Sequence, residues 1–311
     1  MASADASATP EVPSDSYWAT MYWIIKADVF TYSSGPLFHY TSVDTFRRIL
    51  ECRTLWASHF RYLNDVTEFL YAVEIIAKRL EQRSSEGEIL SFAAGSVRSA
   101  IPAELTRGPY VISFSENGDS LSQWRGYCSR TAGVSIGFSG LSLHSQLSKL
   151  TSAFSDGVYG YLVKCVYDRN EQDKRIDKLI NYLLETTRGK DPYDPAARDQ
   201  TARFVSMVPV VAPMFKDKAF GEEAEWRLII HSITDTFGGV KFRYGDSMLI
   251  PYIEFPLESN PGEFFDGLKK VVIGPTPHEE LSKESIRQII TSNTGSSPDI
   301  VSTSAIPYRH W

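Results

Sequence analysis

Apolar positions along this chain recur at two spacings, every second residue or every third and fourth, and this predicts a succession of short strands and amphipathic helices. Phe38-His39-Tyr40-Thr41-Ser42 reads as a short strand running into a helix, because Ser42 is a good N-cap and Phe46, Ile49 and Leu50 follow at helical spacing. Leu55-Trp56-Ala57-Ser58 looks extended. A second helix starts near Asn64-Asp65, where Asp65 and Glu68 have capping-box spacing, and carries Phe69, Leu70, Val73, Ile76 and Leu80 towards Arg83. A third helix is expected over 89–100, a strand over 111–114, a short helix over 120–127 and strands over 133–138 and 159–167. Helices over 174–185 and 196–208 flank a breaker-rich loop at 189–195. The last third reads as strands at 224–231, 241–244, 249–255 and 268–273, a helix over 278–290 and a final strand near 300–304.

These strands are short and are mostly not separated by crossover helices. The pattern therefore predicts an α+β fold, with a mixed, largely antiparallel sheet and helices packed on it, rather than a doubly wound parallel one. No G-x-G-x-x-G or P-loop is present. The 42% hydrophobic content is ample for a packed core, and 17–311 is expected to form a single domain. Residues 1–16 are rich in Ala, Ser and Pro and cannot bury enough apolar surface to offset their ordering entropy, which predicts a disordered tail. The apolar stretch 17–30 is broken by Lys26 and Asp28 and lacks a charged segment ahead of it, so it reads as a short docking helix, neither signal peptide nor membrane span.

Charge and cysteines narrow the setting. The formal net charge is -6 and the 32 Lys and Arg are scattered, which argues against a general nucleic-acid binder and leaves a nucleic acid open as a substrate. Cys52, Cys128 and Cys165 lie far apart with no C-x-x-C spacing, against a disulfide framework or zinc knuckle; a reducing cytoplasm fits best.

Four clusters mix polar groups with aromatics: Phe38-His39-Tyr40-Thr41-Ser42, Tyr62-Leu63-Asn64-Asp65 through Glu68, Ser113-Phe114-Ser115-Glu116 through Trp124-Arg125, and Glu223-Ala224-Glu225-Trp226-Arg227. With Ile273-Gly274-Pro275 and Ile306-Pro307-Tyr308-Arg309, their order and spacing over roughly 36–309 resemble a bacterial family known as domain of unknown function 2971. That family carries no established chemistry. A more distant resemblance is to ADP-ribosyltransferases, which share a split, mostly antiparallel sheet with a His or Arg on the first strand, a Tyr or Ser-x-Ser on the next, and a late Glu. This resemblance implies a split sheet here too.

It also implies roles. His39, in a segment that looks like the opening of the toxins that ADP-ribosylate DNA, would hold the adenosine ribose of NAD, with Tyr40 and Thr41 beside it. Ser113 and Ser115 resemble the Ser-x-Ser motif, and Glu223 and Glu225 resemble a Glu-x-Glu motif whose second member is catalytic. The nicotinamide-ribose bond breaks through an oxocarbenium-like transition state, which a Glu gripping the ribose stabilises by ~3 kcal/mol. In an extended segment Glu223 and Glu225 share a face, so one can hold the ribose while the other orients or deprotonates the acceptor, and Trp226 points into the core. The pattern mixes two classes, since a first-strand His normally accompanies a Tyr, so the target residue is not inherited.

Each residue also has a plainer reading. His39 could be a cap or a satisfied core group. Asn64 and Asp65 serve a helix start as well as a pocket, and Glu68 reads as structural. Glu116 and Asp119 flank the turn dipeptide Asn117-Gly118. Trp124 and Arg125 could be a core anchor and a surface charge, or a base-stacking wall and pyrophosphate clamp. Glu223, Glu225 and Arg227 could be an exposed charge ladder.

Three functions compete. The first is an NAD-dependent ADP-ribosyltransferase acting on a nucleic acid or protein, as a toxin or anti-phage effector held in check by an inhibitory partner protein. It needs His39, Ser113 and Glu225 to line one cleft, and His39 and Glu225 on opposite faces would rule out transfer chemistry. The second is a module that binds NAD or another nucleotide without turnover. The third is a metal-dependent nuclease or hydrolase in which Asp65, Glu68, Glu116 and Asp119 converge on a cation; the first two expect no metal. None of the three calls for a membrane.

Overall fold

The chain enters its sheet at β1 (Pro36–Ser42) and leaves it at once as α1 (Val43–Cys52), capped by the Ser42 hydroxyl accepting from Thr45 N at 3.1 Å. The computed structural model describes residue 33 and residues 35–63, 67–104, 108–128, 132–153, 158–232, 239–245 and 247–307. The expected tail and docking helix, Asn64, Asp65, Tyr308 and Arg309 lie outside them.

The remaining elements follow as β2 (Thr54–His59), α2 (Thr67–Gln82), α3 (Glu88–Glu104), β3 (Tyr110–Ser115), α4 (Leu121–Tyr127), β4 (Gly133–Ser139), α5 (Gly140–Ala153), β5 (Val158–Lys164), α6 (Arg169–Thr186) and α7 (Pro195–Val211). After them come β6 (Glu225–Ser232), β7 (Val240–Tyr244), β8 (Leu249–Pro256), β9 (Glu258–Asn260), β10 (Glu263–Phe264), β11 (Leu268–Ile273), α8 (Glu279–Thr294) and β12 (Val301–Thr303). Ten strands form one sheet and β9 pairs with β10 separately. Every pairing between these strands is antiparallel except that of β11 with β12, so the α+β, mixed and largely antiparallel expectation holds.

The sheet forks at β3. One edge of β3 pairs with β6 over its whole length, from Tyr110 opposite Ile230 to Ser115 opposite Glu225. The other edge meets β1 at Ser115 and β2 at Tyr110 and Val111. One arm continues β1-β4-β11-β12 and the other β2-β8-β7, so the arms part along Ile112, Ser113 and Phe114.

Strand alternation gives the sheet two different faces. One packs Leu37, Ile112, Phe114, Ile136, Leu228 and Ile230 against Phe46, Ile49 and Leu50 of α1, Leu143 and Leu147 of α5, and Ile286 and Ile290 of α8. Each such side chain contributes about 1.5–3 kcal/mol by leaving water. Helix α5 escapes the sequence reading because its buried apolar positions reduce to that one Leu pair in a serine-rich run. The opposite face carries two separate apolar clusters. Helices α2, α3, α6 and α7 cover Val111, Tyr161, Val163 and Ile229, while α4 covers Phe38, Tyr40 and Val272 through Trp124 and Cys128. Between them, at Ser113, Ser115, Glu225 and Arg227, the face turns polar.

Candidate functional site: a buried charge cluster at the head of β6

Five charged side chains meet in that polar gap. Glu225 and Arg227 point from β6 and Glu68 from the first turn of α2; Lys216 follows α7, and Glu223 ends the 3-10 turn Lys218–Glu223. Lys216 Nζ lies 2.9 Å from Glu68 Oε1, 2.6 Å from Glu223 Oε2 and 2.7 Å from Glu225 Oε2. Arg227 Nε donates to Glu225 Oε1 at 2.8 Å and Nη2 to Glu225 Oε2 at 3.0 Å; Nη2 also bonds Glu68 Oε2, and Nη1 donates to the Pro213 carbonyl at 3.0 Å. The Lys216 and Arg227 side chains are each 4% exposed, whereas Glu223 opens to solvent at 26%.

Burying charge is costly unless it is paired and hydrogen-bonded, and this pairing decides the protonation states. Burial alone would push the Glu225 carboxyl up, but Arg227 and Lys216 hold it at about 2, so it is an anion throughout the physiological range. Burial likewise opposes the Lys216 charge and is overcome by Glu225, Glu68 and Glu223, leaving its pKa raised. Glu223 goes the other way: burial raises its pKa, and its bond to Lys216 offsets this only in part. Tyr127 of α4 stands at the rim, 47% exposed as a residue, with its hydroxyl pushed up to about 12 by burial and by the negative charge of Glu225 and Glu223.

The two glutamates do converge, but not through strand alternation. Ala224 between them sits at φ 42°, ψ 48°, the left-handed region, at a cost of roughly 1–2 kcal/mol for a residue with a Cβ. β6 therefore begins at Glu225, not at 224, and Glu223 reaches Lys216 from the preceding turn. The kink is fixed on both sides. Glu116 N donates to Ala224 O at 3.1 Å, and Glu225 N donates to the Tyr167 hydroxyl at 2.9 Å. Trp226 points into the core as expected, its Nε1 donating to Glu116 Oε1 at 2.9 Å.

The other expected site residues divide between the faces. Ser115 is the direct register partner of Glu225, and its hydroxyl donates to the Glu223 carbonyl at 2.7 Å; Ser113 is the partner of Arg227. These two belong to the cluster's surroundings. His39 does not. It pairs with Ile136 and rests edge-on against Phe114, both on the face opposite Glu225, and its Nδ1 hydrogen-bonds the Ser113 carbonyl at 3.0 Å, at the point where β1 and β2 diverge. His39 thus satisfies a main-chain carbonyl that the fork leaves without a strand partner, and one cleft lined by His39, Ser113 and Glu225 is not what the register builds. Thr41, two residues on, shares the His39 face and is buried.

Tyr40 and Trp124 are on the Glu225 face, yet both are packing residues. Trp124 is 1% exposed, so it is no open stacking wall; Tyr40 lies edge-on against it at 4.7 Å, with its hydroxyl between Asn117 O and Ser120 N. Asp119 joins this region to the end of the chain, accepting from Trp124 Nε1 at 2.7 Å, Ser304 Oγ at 2.6 Å and Ala305 N at 2.8 Å. Arg125 is exposed on α4.

The acids of the metal-dependent reading are held apart by different partners: Glu68 by Lys216 and Arg227, Glu116 by Lys164 and Trp226, Asp119 by the chain end. Among the described residues no three His, Cys, Asp or Glu side chains are grouped to hold a metal ion. None of the described helices is long and apolar enough to cross a membrane. The sequence reading passed over Lys216 and gave Arg227 no role beyond an exposed charge ladder, whereas its side chain is 4% exposed. The one hint of the first was a lysine directly after the apolar run 207–215, where burial obliges a cation to find acids.

Residues 123–228, about a third of the chain, match the family model DUF2971, a protein family of unknown function. The matched stretch runs from α4 into β6 and holds four of the five clustered charges, Lys216, Glu223, Glu225 and Arg227. No curated protein and no solved structure matches the chain.

Proposed function

We propose that the protein cleaves NAD and transfers ADP-ribose to a macromolecular acceptor, with Glu225 as the group that stabilises the transition state. The observation that carries this reading is the order β1-β3-β6: the three motif-bearing strands lie side by side, and Ser115 of the second motif stands opposite Glu225 of the third. The strained Ala224 supports it, because backbone strain held between two converging carboxylates is characteristic of functional sites.

In this scheme the carbon-nitrogen bond of the nicotinamide riboside breaks, its electron pair leaves with nicotinamide, and the acceptor nucleophile bonds the ribose C1′. Ionised Glu225 faces the developing positive charge, while Glu223, more exposed and more basic, takes the acceptor's proton. His39 lies on the face opposite Glu225, the arrangement expected to rule out transfer, so the proposal departs from that expectation: it gives His39 no role and rests on Ser115, Glu223 and Glu225, with Phe38 and Tyr40 the buried first-strand residues on the Glu225 face.

A second reading, nucleotide binding without turnover, has one observation in its favour: both Glu225 oxygens already have cationic partners. Nicotinamide release from NAD by the purified protein, with cell lysate as a source of acceptors, separates the two. The transfer reading expects release that falls by at least 10²-fold in Glu225→Gln, the size of loss typical when one transition-state-stabilising group is removed. No release from the wild type, with NAD bound equally by both proteins, replaces it with the binding module.

A further inference from the structure

We propose that Lys216 is the positioning residue of this site, a three-way clamp that sets both where the Glu223 and Glu225 carboxylates lie and which of their oxygens face a ligand. The inference rests on the transfer reading for its role in a reaction, but the clamp itself rests on geometry. An ammonium has three N–H donors and no acceptor. Here two of them are hydrogen-bonded, to Glu223 and Glu225, and the third carboxylate, Glu68, completes the grip as an ion pair at 2.9 Å.

The backbone beneath the ammonium is equally fixed. Lys216 N donates to Val166 O at 3.2 Å, Val166 N donates to Met214 O at 2.8 Å, and the buried Gln172 side chain donates to Lys216 O at 2.9 Å. The Phe220 ring lies under the ammonium at 5.0 Å. The tip therefore has little freedom, and the carboxylates must come to it.

The clamp selects oxygens. Glu225 Oε2 receives both Lys216 and Arg227, whereas Oε1 receives Arg227 Nε alone; Glu223 gives Lys216 its Oε2. A carboxylate oxygen accepts about two hydrogen bonds, so Glu225 Oε2 is filled and the acceptor capacity left over lies on Glu225 Oε1 and on Glu223. Two such acceptors suit a ligand that offers hydroxyl donors, as a ribose does. A planar guanidinium cannot reproduce a three-way pyramidal grip on three separate carboxylates, so arginine would restore the charge without restoring the placement.

The titratable and charged groups around Glu225 are Arg227 on its own strand, Glu223 before it, Lys216 after α7, Glu68 on α2, Tyr127 on α4, and Cys165 and Tyr167 after β5. Of the two cations that hold Glu225 ionised, Lys216→Met removes one.

The test is the pH profile of nicotinamide release, with the Glu225 carboxyl followed by 13C NMR in the same proteins. Wild type is expected to hold its rate down to its acid unfolding limit. Lys216→Met is expected to lose about 10²-fold in rate through misplacement and to move the acid limb, and the Glu225 titration with it, up by about two pH units. Lys216→Arg should leave the limb in place while still lowering kcat. Because the single variant leaves three acids sharing one cation, Arg227, and is the one at risk of not folding, Glu68→Gln/Lys216→Met, with one acid fewer, carries the same measurement. An unmoved Glu225 titration in a folded Lys216→Met or double variant overturns the proposal. Absence of nicotinamide release by the wild type overturns the transfer reading instead, and the NMR titration then still decides the clamp.

Discussion

The two ends of β6 bury titratable groups on the same face of the sheet with opposite results. At its start Glu225 and Arg227 are buried, ionised and paired on every side. At its end His231 is equally buried, stacked on Tyr159 at 4.7 Å, and its Nε2 finds no hydrogen-bond partner among the described residues. Burial drives its pKa down to about 3, so it is held neutral. Burial alone discharges a group, and burial with partners locks the charge in. The first end keeps its fixed charge beside a partly exposed rim, at Glu223 and Tyr127.

Breaking the paired end should have the largest effect. Arg227→Met leaves Glu225 and Glu68 short of a counter-ion and is expected to cost about 3–5 kcal/mol of stability, read from the denaturant midpoint. Adding Glu68→Gln should recover part of that loss, and full additivity of the two substitutions would show that the cluster is not coupled.

The orphan end should show itself in acid. The folded His231 pKa lies below the ordinary value, so between about pH 6.5 and 3 the unfolded chain binds a proton that the folded chain refuses, and stability falls as pH falls through that window by up to ~1.4 kcal/mol per pH unit. His231→Phe should flatten this slope. Glu225 contributes in a lower window: its folded pKa is depressed from 4.5 to about 2, so its stabilisation is complete above about pH 4.5 and is lost as pH falls towards 2. Urea unfolding at pH 7, 5 and 4 separates the two, and equal slopes for wild type and His231→Phe would contradict the neutral histidine.

The smallest effect sharpens the contrast from outside. Glu116 and Lys164 pair at 2.8 Å in the open, and Lys164→Ala should change stability by less than ~1 kcal/mol, since solvent already screens exposed pairs. A thermal shift as large as that of Arg227→Met would erase the distinction between the buried and exposed pairs.

Much of the element pattern was legible because strands and helices announce themselves by period. Phe46, Ile49 and Leu50 behind the Ser42 cap form the helix they predict, and Ser113-x-Ser115 and Glu223-x-Glu225 do come together. What was not legible depends on which face a residue takes. His39 and Tyr40 are neighbours whose sides are set by pairing with Ile136 and Ser135, and a slip of one residue would exchange them. Trp124 looks like a ligand wall until Asp119 and Tyr40 are seen to enclose it. Lys216 offered only its place after an apolar run, because its partners are one residue from a distant helix and two from the far side of a turn.

The fork at β3 bears on how the chain can be cut and how it assembles. β3 lies between Tyr110 and Ser115, outside the stretch 123–228, yet β6 is stitched to it along its length, and Glu68 is farther away still. A fragment limited to that stretch would carry most of the charges with one side of β6 unpaired and one anchor of the cluster missing. During synthesis β3 must wait for more than a hundred further residues before its second edge is closed. Pairings this distant in sequence make for slow folding and a long-lived open strand edge, so the shortest piece worth expressing begins no later than β1.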